Sequence, residues 1–179
     1  MVDTRFQRWA SEVIFPLIGF LFWNWSFEFV AWFYFGDRFF QWVFNFIKKR
    51  KIQGGFWKGQ SLVSLELVLI LLLIGQTKMP WMDSLHTFLT YEDMGIAQGY
   101  FLIPLLFLGE WMKYSMERKS KVFQMENPKV TLLKIGLWGS SIILFLFVVS
   151  SVFQIQIFLG MLAMANLWID VKKVPVSLK

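Results

Sequence analysis

The sequence predicts an all-α integral membrane protein with about five transmembrane helices, and with four or six helices as alternatives. Hydrophobic residues make up 56% of the 179 residues. The chain has 21 Phe and 10 Trp, and a water-exposed domain of this size usually contains fewer large apolar side chains. Several apolar runs reach the roughly 20 residues that cross a bilayer. Basic residues cluster between these runs. We therefore expect one helical membrane domain over residues 1–179.

The first predicted span covers residues 13–35. Its apolar run continues to residue 47, but one straight helix of that length would be about 52 Å long, against about 30 Å of hydrocarbon core. The sequence GDR at 36–38 is therefore expected to end the span. A turn at Asn24-Trp25-Ser26 would give the six-helix alternative, which leaves each arm too short to cross.

Residues 38–47 are predicted to form an interfacial amphipathic helix on the membrane surface. Polar residues recur there every three or four positions and should face water, whereas Phe, Val and Ile fill the other side. The polar stripe consists of Arg38, Gln41, Asn45 and Lys48.

The other predicted spans cover residues 60–76, 95–114, 132–150 and 152–169. The last two come from dividing one long apolar run near Ser150-Ser151, because an undivided helix would be too long. Between the second and third spans, the polar segment 77–94 contains a short apolar stripe that follows Asp83, a residue suited to a helix start.

The positions of the basic residues predict the orientation. Lysines and arginines concentrate in 37–58, 113–134 and the tail, whereas 77–94 is mainly acidic. Since cytoplasmic loops of membrane proteins are enriched in Lys and Arg, we expect an extracytoplasmic N-terminus and a cytoplasmic C-terminus in the plasma (inner) membrane.

Acidic residues within the predicted spans indicate a candidate intramembrane polar site. Carboxylates are costly in lipid and usually face other helices, so a shared site for a cation, a proton or a polar headgroup is one interpretation. The other is structural pairing with basic residues at the same level. The candidate residues are Glu28, Glu66, Glu110 and Asn24, and the basic residues that could pair with them are Arg38, Lys58 and Lys113.

A second candidate site lies in the segment 77–94, the predicted outer loop. His86 is the only histidine and there is no cysteine, so a multi-histidine or thiolate metal centre is excluded. The alternative to a site of mixed ligands is a solvated loop. We expect no metal and no cofactor. The candidate outer-loop residues are Asp83, His86, Glu92 and Asp93.

No catalytic motif accompanies these residues. The sequence has no phosphate loop, nucleophile elbow or His-Glu-x-x-His pattern. We therefore expect a non-catalytic subunit of a larger membrane complex for transport, export or envelope-polymer synthesis. A small ion-coupled transporter or solute-binding protein is the alternative, followed by a lipid-modifying enzyme. The expected partners are membrane lipids, other membrane subunits or further copies of the chain, and no nucleic acid.

Overall fold

The computed structural model describes residues 13–48, 56–76, 80–93, 96–120 and 128–147, together with Gly160. Almost all of this part of the chain is helical. The six helices are α1 Phe15–Phe22, α2 Phe27–Lys48, α3 Phe56–Gly75, α4 Trp81–Thr90, α5 Gln98–Ser120 and α6 Pro128–Phe147. Two short antiparallel strands, β1 Glu92–Asp93 and β2 Ile96–Ala97, connect α4 to α5.

Helix α2 lies at the centre of the arrangement. It packs against α3, α5 and the short α4, while α6 packs mainly against α3. The hydrophobic core consists largely of the first half of α2, which is buried on all sides, and the side chains that neighbouring helices direct towards it.

Within the described residues, no helix is both long enough and apolar enough to cross a membrane. The predicted fold class of five transmembrane helices is therefore wrong for this part of the chain, and the integral membrane localisation and orientation derived from it are contradicted. Helix α1 has only eight residues. Charged residues interrupt the central helix α2, and the last turns of α5 are also charged. The expected span 152–169 lies outside the described residues except for Gly160.

The first apolar run bends at residues 23–26, the position of the turn in the six-helix alternative and not in the favoured five-helix prediction. Asn24 has a φ of 49°, a left-handed conformation that Asn adopts more readily than most residues. Ser26 then caps α2, because the backbone N–H of Phe29 donates to its hydroxyl at 3.1 Å. The Trp25 ring folds back onto Gly19 so closely that a Cβ there would overlap the ring. The turn chemistry of Asn and Ser thus ends α1 and starts α2.

The expected helix break at GDR is also wrong, because α2 continues without interruption from Phe27 to Lys48. Gly36 lies inside the helix, where a Cβ would stand 3.0 Å from the Leu106 side chain of α5. The glycine therefore permits close packing of two helices and does not end one. Residues 38–47 are the second half of α2 and not a separate interfacial helix.

Aromatic rings fill the core around the first half of α2. The Phe29 ring has its centroid 4.5 Å from that of Trp25 and 4.7 Å from that of Phe88 on α4. The indole N–H of Trp32 donates to the Ser84 hydroxyl of α4 at 2.9 Å. Because the buried indole has a partner, this core combines apolar packing with a defined orientation of α4.

Replacing Ser26 by Ala should reduce the free energy of unfolding by about 1 kcal/mol, because α2 loses its side-chain cap. Urea unfolding monitored by circular dichroism would measure the change. Ser140→Ala is the matched control, since the exposed Ser140 hydroxyl donates to the Gly136 carbonyl of its own helix and does not cap a helix start. A loss in the control equal to that in Ser26→Ala would show that the cap contributes nothing specific.

Candidate functional site

The most distinctive feature of the interior is a line of buried polar side chains, here called the polar seam. Four of its members follow α2 at spacings of three or four residues, so they share one helix face. That face is directed towards the neighbouring helices and not towards water or lipid headgroups, which contradicts the expected surface stripe. The seam consists of Arg38, Gln41, Asn45 and Lys48 of α2, Gln60 and Glu66 of α3, Glu117 of α5, and Lys134 and Trp138 of α6.

At one level of the seam, Arg38 and Glu66 form a buried ion pair. The Arg38 Nε lies 3.2 Å from Glu66 Oε1, and the side chains are 5% and 1% exposed. The indole N–H of Trp138 donates to the same carboxylate oxygen at 3.2 Å, and an Arg38 Nη1 hydrogen bond reaches the Gln41 amide oxygen. This cluster joins α2, α3 and α6 through charge-assisted hydrogen bonds.

Nearly three turns later on α2, a second ion pair joins this helix to α5. Lys48 Nζ lies 2.7 Å from Glu117 Oε2, and the Lys48 side chain is 1% exposed. A buried ammonium is costly to desolvate, and its close carboxylate offsets that cost. The ion pair therefore determines which helix lies beside the C-terminal end of α2.

Uncharged amides lie between the two ion pairs. The Gln60 amide N–H donates to the Trp42 carbonyl at 3.3 Å. Among the described residues, no hydrogen-bond partner reaches Asn45 Nδ2 or Gln60 Oε1, although both side chains are buried.

The charges of the seam nearly cancel. Its cations are Arg38, Lys48 and the buried Lys134, and its anions are Glu66 and Glu117. A further carboxylate, that of Asp37, lies 4.0 Å from Arg38. Near neutrality suits a seam whose charges hold helices together, because a buried excess of either sign would be strongly unfavourable.

The predicted intramembrane carboxylates lie in three separate environments. Glu66 belongs to the polar seam, whereas Glu110, 12% exposed, lies 3.3 Å from Lys113 of the same helix α5. Glu28 is in the first turn of α2, ten residues before Arg38 and thus about 15 Å from it along the helix axis.

The basic residues predicted to pair with these carboxylates also lie in different environments. Arg38 and Lys113 do contact Glu66 and Glu110. The side chain of Lys58 lies outside what the structure describes. Asn24 is exposed in the turn between α1 and α2.

Glu28 borders a shallow recess between the start of α2 and α4. Ser84 and Thr87 of α4 line its other side, and Tyr91 closes one end. The Tyr91 hydroxyl contacts the Trp23 and Asn24 carbonyls at 2.9 and 3.0 Å. The recess has room for about one water molecule, which is too small for a metabolite.

The predicted outer-loop residues lie on α4 and β1. Asp83 and His86 are exposed on α4, Glu92 is exposed on β1, and the Asp93 side chain is outside the described residues. The short helix predicted to start at Asp83 is present as α4 and begins two residues earlier, at Trp81. In the described part of the chain, no three His, Asp or Glu residues are grouped closely enough to hold a metal ion.

Sequence analysis missed a broad apolar face on α5. Large apolar residues at spacings of three or four point outward along four turns of this helix, each at least two-fifths exposed. This face, here called the α5 face, consists of Phe101, Leu105, Leu108, Trp111, Met112 and Met116. Its signal was present as helical periodicity, but the interpretation of 95–114 as a membrane span assigned every apolar residue the same role.

Comparisons with known proteins add no relative from which a function could be transferred. No protein-family model, no curated protein and no solved structure matches the chain.

Proposed function

We propose that the chain is a non-catalytic component of a larger protein assembly, and that it binds a helical apolar partner through the α5 face. The observation that carries this proposal is the exposure of six large apolar side chains in one continuous helical stripe. Exposed apolar patches of this extent are typical of interaction sites.

The size of the α5 face supports a specific interface. The exposed fraction of its six residues ranges from 42% for Leu105 to 63% for Phe101. Together they offer on the order of 600 Å² of apolar surface, given roughly 150–250 Å² for each large side chain. A standard interface buries about 800 Å² on each partner, so the α5 face and its margins approach that size.

The composition of the α5 face also favours protein binding. Trp, Phe and Met are enriched in the centres of interfaces, whereas Lys and Glu are depleted there. Lys113 and Glu110 contact each other on the other side of α5, so the face itself contains no charged pair. Arg118 and Lys119 follow it at the C-terminal end of the helix, where a polar rim is expected.

Binding of a solute at the carboxylates receives less support. Glu66 is held by Arg38 and Trp138, and Glu110 is close to Lys113. The recess at Glu28 has room for only about one water molecule. Glu66 thus joins α3 to α2 and α6, and Glu110 pairs within α5.

A photoreactive amino acid placed at Leu108 or at Leu132 would test the proposal in the source cells. These residues are 50% and 51% exposed, but Leu132 lies on α6, away from the α5 face. We expect a discrete protein adduct from position 108 and none from position 132. The adducted protein, identified by mass spectrometry, should also co-purify with the unmodified chain at a fixed ratio.

A Leu108→Glu substitution should abolish this co-purification, because a carboxylate would enter the centre of an apolar interface. We expect at least a tenfold loss of affinity, since burying an unpaired charge costs several kcal/mol. Leu132→Glu should leave binding unchanged. Equal adduct formation at both positions would contradict the proposal. Adducts from position 108 with phospholipid alone would also contradict it.

A further inference from the structure

We infer that the partner of the α5 face is a second copy of this chain, bound with the two α5 helices antiparallel. This inference rests on the proposed function, because it specifies which protein occupies the face already assigned to binding. A two-fold axis would pass close to Leu108, the middle of the exposed stripe.

The spacing of the α5 face suits such an axis. Phe101 and Met116 lie seven and eight residues from Leu108, so the antiparallel arrangement places Phe101 of one copy beside Met116 of the other. Leu105 then lies close to the second copy's Met112. Large aromatic and flexible side chains therefore meet in both halves of the interface, which favours close packing.

The charges at the two ends of the α5 face favour the antiparallel direction of the two α5 helices. Exposed Glu92 lies on β1, where it pairs with Ala97 just before α5 begins. Exposed Arg118 and Lys119 occupy the last turn of the same helix. Antiparallel packing brings Glu92 of each copy towards the basic end of the other, whereas parallel packing would place like charges together.

The helix dipoles add to this preference. In the antiparallel arrangement, the positive N-terminal end of each α5 lies beside the negative C-terminal end of the other. Each α5 has 23 residues and is about 34 Å long, so the stripe and the basic last turn lie within a single helix, and Glu92 lies just before its start.

Single cysteines provide a direct test, because the chain contains no cysteine of its own. Under mild oxidation, Leu108→Cys should form a disulfide-linked dimer, since a residue near a two-fold axis meets its own copy. Phe101→Cys and Met116→Cys should form no disulfide link when each is oxidised alone. An equimolar mixture of these two variants should give the mixed dimer, because their Cα atoms would come within the 4.4–6.8 Å that a disulfide requires.

Sedimentation of the unmodified chain gives an independent measurement. We expect a species of twice the 21.2 kDa chain mass, which Leu108→Glu converts to monomer and Leu132→Glu does not. Self-crosslinking of both Phe101→Cys and Met116→Cys would overturn the antiparallel direction. A monomer without disulfide formation at Leu108→Cys would overturn the dimer.

The outcome also distinguishes this inference from the proposed function. If the photoreactive residue at 108 captures a different protein at a fixed ratio, the dimer is excluded and the binding role of the α5 face stands. If it captures no protein at all, both fail.

Discussion

Replacing Glu66 by Gln will strongly destabilise the fold. The substitution preserves the shape of the side chain and an oxygen that can accept from Trp138, but it leaves the buried Arg38 guanidinium without its closest carboxylate. Removing one partner of a buried ion pair costs about 3–5 kcal/mol. Asp37 remains 4.0 Å from Arg38, so we expect the lower end of that range. Urea unfolding of the purified protein measures the change.

A double-substitution cycle separates the ion pair from other effects. Arg38→Met combined with Glu66→Leu removes both charges and should recover part of the stability lost in Glu66→Gln, because apolar residues of similar volume replace a buried pair at little cost. The recovery is incomplete because the buried Trp138 indole N–H loses the Glu66 oxygen to which it donates. Glu110→Gln is the matched control, since its Lys113 partner is 37% exposed and water can solvate the remaining ammonium. A Glu66→Gln protein as stable as this control would contradict the role of the seam.

Replacing Trp25 by Ala should cost about 3–5 kcal/mol, the usual range for removing a buried large aromatic side chain. The Trp25 side chain is 2% exposed and its ring centroid lies 5.6 Å from that of Phe15, 4.5 Å from that of Phe29 and 5.9 Å from that of Phe33. Its indole N–H also bonds to the Gln98 amide oxygen, so the substitution loosens α5 as well.

The control for Trp25→Ala is Trp57→Ala, because the Trp57 side chain is 66% exposed. We expect the control to change the free energy of unfolding by less than about 1 kcal/mol, as is usual for surface substitutions. Thermal unfolding of both variants would show the difference as a large decrease in Tm for Trp25→Ala only. Similar decreases in both variants would contradict the assignment of Trp25 to the core.

The sequence indicated helices but not where the first of them turns. Hydrophobic periodicity placed helical structure over most of the described residues, including a short helix beginning near Asp83. It gave the turn at 23–26 only as an alternative, because the bulky apolar residues around Asn24 favoured one continuous helix over a left-handed residue followed by a capping serine. Gly36 was interpreted as a helix end, although its role is to let α5 approach.

The candidate site was only partly predictable. The sequence identified Glu66 as a carboxylate that needs a partner and named Arg38 among the candidates for pairing, but it placed Arg38 in a water-facing stripe. A stripe of polar residues has the same spacing whether it faces water or the buried polar side chains of other helices. Which of these occurs depends on α3, α5 and α6, whose positions relative to α2 are not encoded in the local pattern.

The pairing of Lys48 with Glu117 has a consequence for how the protein is made. Residue 117 emerges from the ribosome 69 positions after residue 48. Throughout that interval the ammonium group has not met its carboxylate and is better solvated by water than buried. We expect the C-terminal turns of α2 to dock late in co-translational folding, after the Arg38–Glu66 contact becomes available. Until then the nascent chain would present an incomplete helical core, which is the kind of surface that chaperones bind.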